Sequence, residues 1–283
     1  MAFVTNKEML LAAQKNKFGV PAFNVENMEM VQAVIAAGTE CSSPVMIQTT
    51  PSTLKYASPD LFFAMVKNLA EKAPVPVALH LDHGDSFELC KAALDAGYSS
   101  IMIDGSKLSF EENIALSKRV VEICKAKNIP VEAELGTVGG KEDTHEVLDA
   151  DAKYTNPGKA VTFVEETGIQ SLAVAIGTAH GHYKDTPKLQ FERLSEIKEV
   201  VSIPLVLHGT SGVPDGDVVK CIGLGICKIN YATELRDAYT LGLRKVLADT
   251  AVFDPKAYGK EGREYVKALC KKRMEMCGSA SKA

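Results

Sequence analysis

An eight-stranded β/α barrel, (β/α)8, is the fold class this sequence predicts, on three observations. Eight short apolar runs rich in β-branched residues recur along the chain. Stretches with helical spacing separate them. Polar or ionisable residues stand at the downstream end of most runs, on the rim where such barrels keep their active sites. The 283 residues suit a single domain of this kind, 1–283, with a C-terminal helical tail; barrels commonly take about 250.

Taken in order, Thr5-Asn-Lys-Glu8 reads as a helix start, and the first strand is expected at 20–24. The remaining strands are expected at 44–49, 76–81, 99–103, 131–135, 171–176, 204–207 and 228–231. Ser58-Pro59 supplies a cap and a first-turn proline for one helix. Ser109-Phe-Glu-Glu112 forms a capping box for another, whose Phe110, Ile114, Val121 and Cys124 fall on one face. The strands are continuously apolar rather than alternating, as in a parallel sheet covered on both sides. A doubly wound open sheet would have no natural place for an eighth strand that also carries site-like residues. After Asp254-Pro255 the chain reads as a charged helix ending in a loose Gly-Ser-Ala-Ser-Lys-Ala.

A content of 46% hydrophobic and 24% charged residues is that of a globular enzyme with ample core. The net charge of −4 argues against nucleic acid and against an anionic membrane surface as partners. Seven scattered cysteines without a Cys-x-x-Cys pair indicate neither a disulfide framework nor a thiolate zinc site. With no signal-like segment and no apolar run of spanning length, a cytoplasmic location is expected.

Three histidines follow apolar runs and precede glycine: His83, His180 and His208. Each strand is expected to end at its imidazole, and three imidazoles on one rim are the ligand count of a catalytic zinc with a fourth position open for substrate. Asp82 is then directed toward the barrel axis, as a proton carrier beside the metal or as a supporting carboxylate. His80, deeper on that face, is assigned to the core. Asp104 and Glu134 form an outer shell around the histidines, an alternate position for the ion, or part of a structural ion pair with a buried lysine. Gly209-Thr-Ser-Gly212 and Asn230-Tyr-Ala-Thr233 read as anion cradles after strands seven and eight, or as ordinary turn and cap chemistry. The polar, glycine-rich stretch from Gly136, with Glu142 and His145 on it, is long for a βα loop and reads as a lid.

These residues resemble the class II, metal-dependent ketose-1,6-bisphosphate aldolases over essentially the whole chain. The motifs that carry the resemblance are Leu79-His-Leu-Asp-His-Gly84, Met102-Ile-Asp-Gly-Ser106, Val131-Glu-Ala-Glu-Leu-Gly-Thr-Val-Gly-Gly140, Gly177-Thr-Ala-His-Gly181, Leu207-His-Gly-Thr-Ser-Gly212 and Lys228-Ile-Asn-Tyr-Ala-Thr-Glu234. The stretches 50–55 and 171–181 look most like the tagatose-bisphosphate branch. Gly136-Thr-Val-Gly-Gly140 and Val252-Phe-Asp-Pro-Lys256 also look like fructose-bisphosphate members, so a glycolytic fructose-1,6-bisphosphate aldolase is the alternative, and an aldolase for another phosphorylated keto-sugar acid a more distant one.

The resemblance implies zinc on His83, His180 and His208, Asp82 as the acid/base at the sugar's C4 hydroxyl, and Glu142 as the proton donor to the enediolate. It implies that Gly181, Gly209, Thr210, Ser211, Asn230, Tyr231, Ala232 and Thr233 hold the dihydroxyacetone phosphate half, with a monovalent cation (Na+ or K+) nearby. It further implies a phosphorylated ketose as substrate, a homodimer or homotetramer, and room for a non-catalytic stabilising subunit. Lys256 and Arg263 are the candidates for the far phosphate, within the chain or reaching a neighbouring subunit. The sequence departs from the pattern at His182-Tyr183, and at Thr210 and Tyr231, where the tagatose branch often has smaller residues; these bear on the shape of the pocket.

Three rivals fit less well. An imine-forming aldolase needs a rim lysine, but strand six ends in His180, Lys228 begins strand eight at the wrong end, and only Lys107 lies near the rim. An amidohydrolase needs a His-x-His pair on the first strand, which has no histidine. A barrel that only stabilises a partner would be expected to lose ligands, and none is missing.

Overall fold

The computed structural model describes residues 3–140 and 154–283. Eight parallel strands close into a barrel: β1 (Val20–Asn24), β2 (Val45–Thr49), β3 (Val77–Gly84), β4 (Ser100–Ile103), β5 (Val131–Leu135), β7 (Ser171–Val174), β9 (Leu205–Leu207) and β10 (Ile226–Tyr231). They neighbour one another in chain order, and β10 closes the ring against β1 with Phe23 opposite Tyr231. A separate two-stranded ribbon on the rim pairs β6 (Gly139–Gly140) with β8 (Ala179–His180).

The helices are α1 (Lys7–Asn16), α2 (Met28–Cys41), α3 (Pro51–Tyr56), α4 (Pro59–Ala70), α5 (Phe87–Ala96), α6 (Phe110–Lys125), α7 (Pro157–Thr167), α8 (Phe191–Val200), α9 (Asp215–Gly223), α10 (Thr233–Leu247) and α11 (Pro255–Met276). Local sequence sets most of their starts. Ser109 and Glu112 close the expected capping box on α6, and Pro51, Pro59, Pro157 and Pro255 occupy first turns. The buried face of α6 is rotated from the expected one: Asn113, Ser117, Val120 and Cys124 are its buried residues. Its polar members are bonded there, Asn113 Nδ2 donating to the Glu134 carbonyl at 3.0 Å and Ser117 to Asn113. Among the described residues no helix is long and apolar enough to cross a membrane.

The alternation of each strand sorts side chains between two compartments. Odd-numbered residues such as Phe23, Ile47, Leu79, Ile101 and Ile229 face the helices in one continuous core. Leu172 and Val174 of β7 and Ile226 of β10 join that core, and elsewhere the even-numbered strand residues face the axis. Their lower layers are apolar: Val20, Ala22, Met46 and Ala78 pack with Met9, Leu10 and Ala13 of α1, which plugs the barrel from below. Their upper layers are polar and hold the site.

Three expectations are corrected. β3 runs on through Gly84 instead of stopping before Asp82, and β7 stops at Val174, so that His180 lies beyond the barrel strand, on the ribbon. The C-terminal tail is docked rather than loose. Ser279 is fully buried, and the backbone amides of Ser281, Lys282 and Ala283 donate to the Cys41 and Ser42 carbonyls at 2.9–3.0 Å, satisfying the end of α2.

Candidate active site

The register of β3 against β4 slips between Leu81 and Gly84: Leu81 stands opposite Ile101 and Gly84 opposite Ile103. The extra residue is accommodated at Asp82-His83, where His83 takes φ +48°, a left-handed conformation uncommon outside glycine. Regular alternation would send two adjacent side chains to opposite faces. This bulge instead brings both Asp82 and His83 to the inside of the rim.

His83, His180 and His208 converge there. Their ring centroids are 5.0 Å (His83–His180), 4.6 Å (His83–His208) and 6.2 Å (His180–His208) apart, and one nitrogen from each lies within 4.8 Å of the others. Each is aimed differently. The His83 Nδ1 pairs with Asp104 Oδ2 at 2.8 Å, and Asp104 is itself fixed by the Ser106 amide at 2.9 Å. His208 Nε2 bonds Glu132 Oε1 at 3.0 Å, so its Nδ1 faces the cluster. The ribbon carries His180 into place.

Glu132 is anchored in turn. Lys228 Nζ, fully buried, donates to its two carboxylate oxygens at 2.9 and 3.0 Å and to His80 Nε2 at 3.3 Å; His80 Nδ1 then bonds Ser100 Oγ at 2.7 Å. His80 is therefore a core histidine, as expected. The buried lysine's ion-pair partner is Glu132, not Glu134 or Asp104. Glu134 Oε2 approaches His208 Nδ1 to 3.1 Å without hydrogen-bond alignment, and neither buried atom has a hydrogen-bond partner among the described residues. A second cluster, His83 with Asp104 and Glu134, shares the space.

Electrostatics follow from this crowding. Burial opposes ionisation of Asp82, but the imidazole of His83 and the Lys228 ammonium outweigh it and hold the carboxyl at about 2. Burial also opposes charge on His83, yet Asp82 and the bonded Asp104 raise it well above its ordinary value. His180 is pushed well below, by burial and by its two imidazole neighbours. Four carboxylates (Asp82, Asp104, Glu132, Glu134) thus surround three imidazoles and one lysine. The donor set fits a borderline dication such as zinc: three imidazole nitrogens, two buried atoms that need a partner, and an excess of negative charge.

Asp82 sits beside the triad in a cage of amides. Asn24 Nδ2 donates to its Oδ2 at 2.7 Å, Gln48 Nε2 to the same oxygen at 3.2 Å, and Asn230 Nδ2 to its Oδ1 at 3.0 Å. Donors on both oxygens favour the carboxylate and fix its orientation. Sequence reasoning missed Asn24 and Gln48. The available signal was a polar residue closing an apolar strand, in Val20-Pro-Ala-Phe-Asn24 and Val45-Met-Ile-Gln-Thr49, on the face that carries Asp82.

His180, Gly181, Gly209, Thr210, Ser211, Asn230, Ala232 and Thr233 line one pocket. Thr233 opens α10, whose N-cap Ala232 offers no side-chain cap, so the N-terminus of that helix borders the pocket. The Thr210 hydroxyl is committed to the Asn230 carbonyl, and Ser211 Oγ accepts from the Glu234 amide at 3.5 Å.

Some expected residues are not brought to the site. The side chain of Tyr231 faces away: it is fully buried beside Phe23 and Arg273, with its hydroxyl on Cys277, because it alternates with the inward Asn230. Its size therefore does not shape the pocket. Lys256 is exposed and paired with Asp254 at 2.8 Å, and Arg263 donates to Gln32 on α2 at 2.9 Å; neither bonds a pocket residue. Glu142 and His145 lie outside the described residues.

Comparison with known proteins agrees with this geometry. Residues 4–282 match the family described as fructose-bisphosphate aldolase class-II. The YdjI aldolase from Escherichia coli K12 is 38% identical with a TM-score of 0.89, and the alignment covers 99% of each chain. A Coccidioides immitis protein, provisionally described as a fructose-1,6-bisphosphate aldolase, is 34% identical with a TM-score of 0.89, covering 97% of this chain and 96% of its own. The fructose-bisphosphate aldolase of Campylobacter jejuni, at 24% identity and a TM-score of 0.85 over 100% of this chain and 97% of its own, shares the fold. The chain belongs to the class II fructose-bisphosphate aldolase family and is an aldolase, a carbon–carbon lyase.

Proposed function

We propose that this aldolase cleaves a ketose 1,6-bisphosphate, tagatose 1,6-bisphosphate being favoured, reversibly to dihydroxyacetone phosphate and glyceraldehyde 3-phosphate, with zinc held by His83, His180 and His208. The observation that carries the proposal is the placement of one ionised, amide-clamped carboxylate beside three converging imidazoles. When bound, zinc supplies a Lewis acid for the electron pair that the broken C3–C4 bond leaves at C3. Asp82 takes the proton of the C4 hydroxyl as that bond breaks, and Asn24, Gln48 and Asn230 keep its oxygens anionic and aimed. Glu142 returns a proton to C3. Asp104 and Glu132 orient His83 and His208, and Glu134 serves as a further oxygen donor near the triad.

The pocket after β9 and β10 takes the phosphate of the dihydroxyacetone half through the backbone of Gly181, Gly209, Thr210, Ser211, Ala232 and Thr233, with a monovalent cation beside it. Tyr231 adds only backbone there. That binding does not touch the reacting bond, and serves to orient it.

The tagatose assignment draws its support from the stretches 50–55 and 171–181. A second reading, fructose 1,6-bisphosphate, is favoured by the family's description and by that of the Coccidioides relative. Assaying the purified protein on both sugars decides between them. Faster cleavage of the tagatose isomer, lost in chelator and restored by zinc, is expected. Preference for the fructose isomer would select the second reading, and full activity in chelator would overturn the metal.

A further inference from the structure

Tyr183, one of the two departures after His180-Gly181, has a position that the reaction does not by itself require. Its hydroxyl accepts from the Ala179 amide at 2.6 Å and donates to the Gly209 carbonyl at 2.7 Å. Those two backbone groups belong to segments far apart in the chain. Ala179 directly precedes His180 on β8, and Gly209 directly follows His208 after β9. The segments also touch without the tyrosine: Gly209 holds φ +64°, and a Cβ there would meet the Ala179 carbonyl oxygen at 2.6 Å. At the far end of the same turn, a Cβ on Gly212 would come within 3.1 Å of the Tyr183 ring. One side chain therefore spans the turn that lines the anion pocket and pins it to the segment carrying a metal-ligand candidate.

We propose that Tyr183 is a positioning residue that ties the His180 segment to the 209–212 turn, so that the histidine triad and the anion pocket are built as one unit. The proposal rests on the reading of those two sites given above. His208 is held from below by Glu132, and His180 stands on a two-residue strand that pairs with Gly139–Gly140 among the described residues. The strut is a side-chain link that gives the ribbon a fixed distance from the barrel. Loosening it should then disturb metal and phosphate together, although Tyr183 touches neither.

Tyr183→Phe keeps the ring and removes both hydrogen bonds, so the barrel stays folded. Three measurements are needed on wild type and variant: zinc affinity by competition with a chelator, inhibition by inorganic phosphate, and hydrogen exchange at the Ala179 amide. In the variant, zinc and phosphate should each bind roughly tenfold more weakly, the range usual for partners of metal ligands, and the Ala179 amide should exchange faster. The unfolding midpoint of the metal-free protein should shift by only a few degrees. Unchanged affinities for both ligands would overturn the proposal, even with a lowered midpoint, and would leave Tyr183 a purely structural residue. Equal exchange at Ala179 would overturn the strut itself. A wild type that binds neither zinc nor phosphate would overturn the reading of the two sites, and the positioning role with it.

Discussion

The lower and upper halves of the barrel interior are built on the same strands and the same face, yet they do opposite things. Below, Ala22, Met46 and Ala78 close on α1 as an apolar plug. Two residues further along each of those strands stand Asn24, Gln48 and His80, and above them Asp82. The lower positions hold the strands together by burying apolar surface, worth roughly 1.5–3 kcal/mol for a fully buried Met or Val. The upper positions hold carboxylates, imidazoles and amides that are stable only because each satisfies another. The difference teaches where function can be afforded: a polar interior is tolerable when an apolar floor excludes water beneath it and a buried cation balances it.

The contrast can be broken at three points, in decreasing order of effect. Asp82→Asn should lower kcat by about 100- to 10,000-fold, the usual contribution of a general acid–base group. The amide fits its cage in size but sets an NH2 group against a cage donor, so the unfolding midpoint should fall by a few degrees in thermal melts while zinc content stays near wild type in metal analysis. A near-normal kcat would reduce Asp82 to a supporting role. Lys228→Met removes the ammonium and leaves Glu132 buried against two imidazoles. Breaking a buried pair on one side costs about 3–5 kcal/mol, readable in a denaturant titration. Adding Glu132→Gln to that variant should recover part of the loss. Met46→Ala in the plug should cost about 2–5 kcal/mol of stability and leave kcat per folded molecule unchanged. If Met46→Ala instead impaired turnover while the fold held, the division between floor and site would fail.

Much of this was legible in the residues. Eight apolar runs located the eight barrel strands to within a few residues, and the capping box at Ser109 and Glu112 set a helix start. The three histidines, Asp82 and the turn after β9 were visible as polar groups at strand ends. Tertiary effects account for what was not. The bulge that turns both Asp82 and His83 inward depends on pairing with β4, which no local pattern encodes. The ribbon under His180 pairs Ala179–His180 with Gly139–Gly140, distant in sequence. The tail looked loose because small polar residues give no apolar signal, yet its amides complete α2. The outward side chain of Tyr231 was legible, since period-two alternation from the inward Asn230 sends it to the other face.

The most direct measurement is zinc binding to chelator-stripped protein, by competition, for wild type and for His83→Ala, His180→Ala and His208→Ala. One zinc per chain is expected in wild type, with each substitution weakening it by orders of magnitude while the barrel stays folded. Wild-type affinity in any one of the three variants would contradict a site built from all three imidazoles.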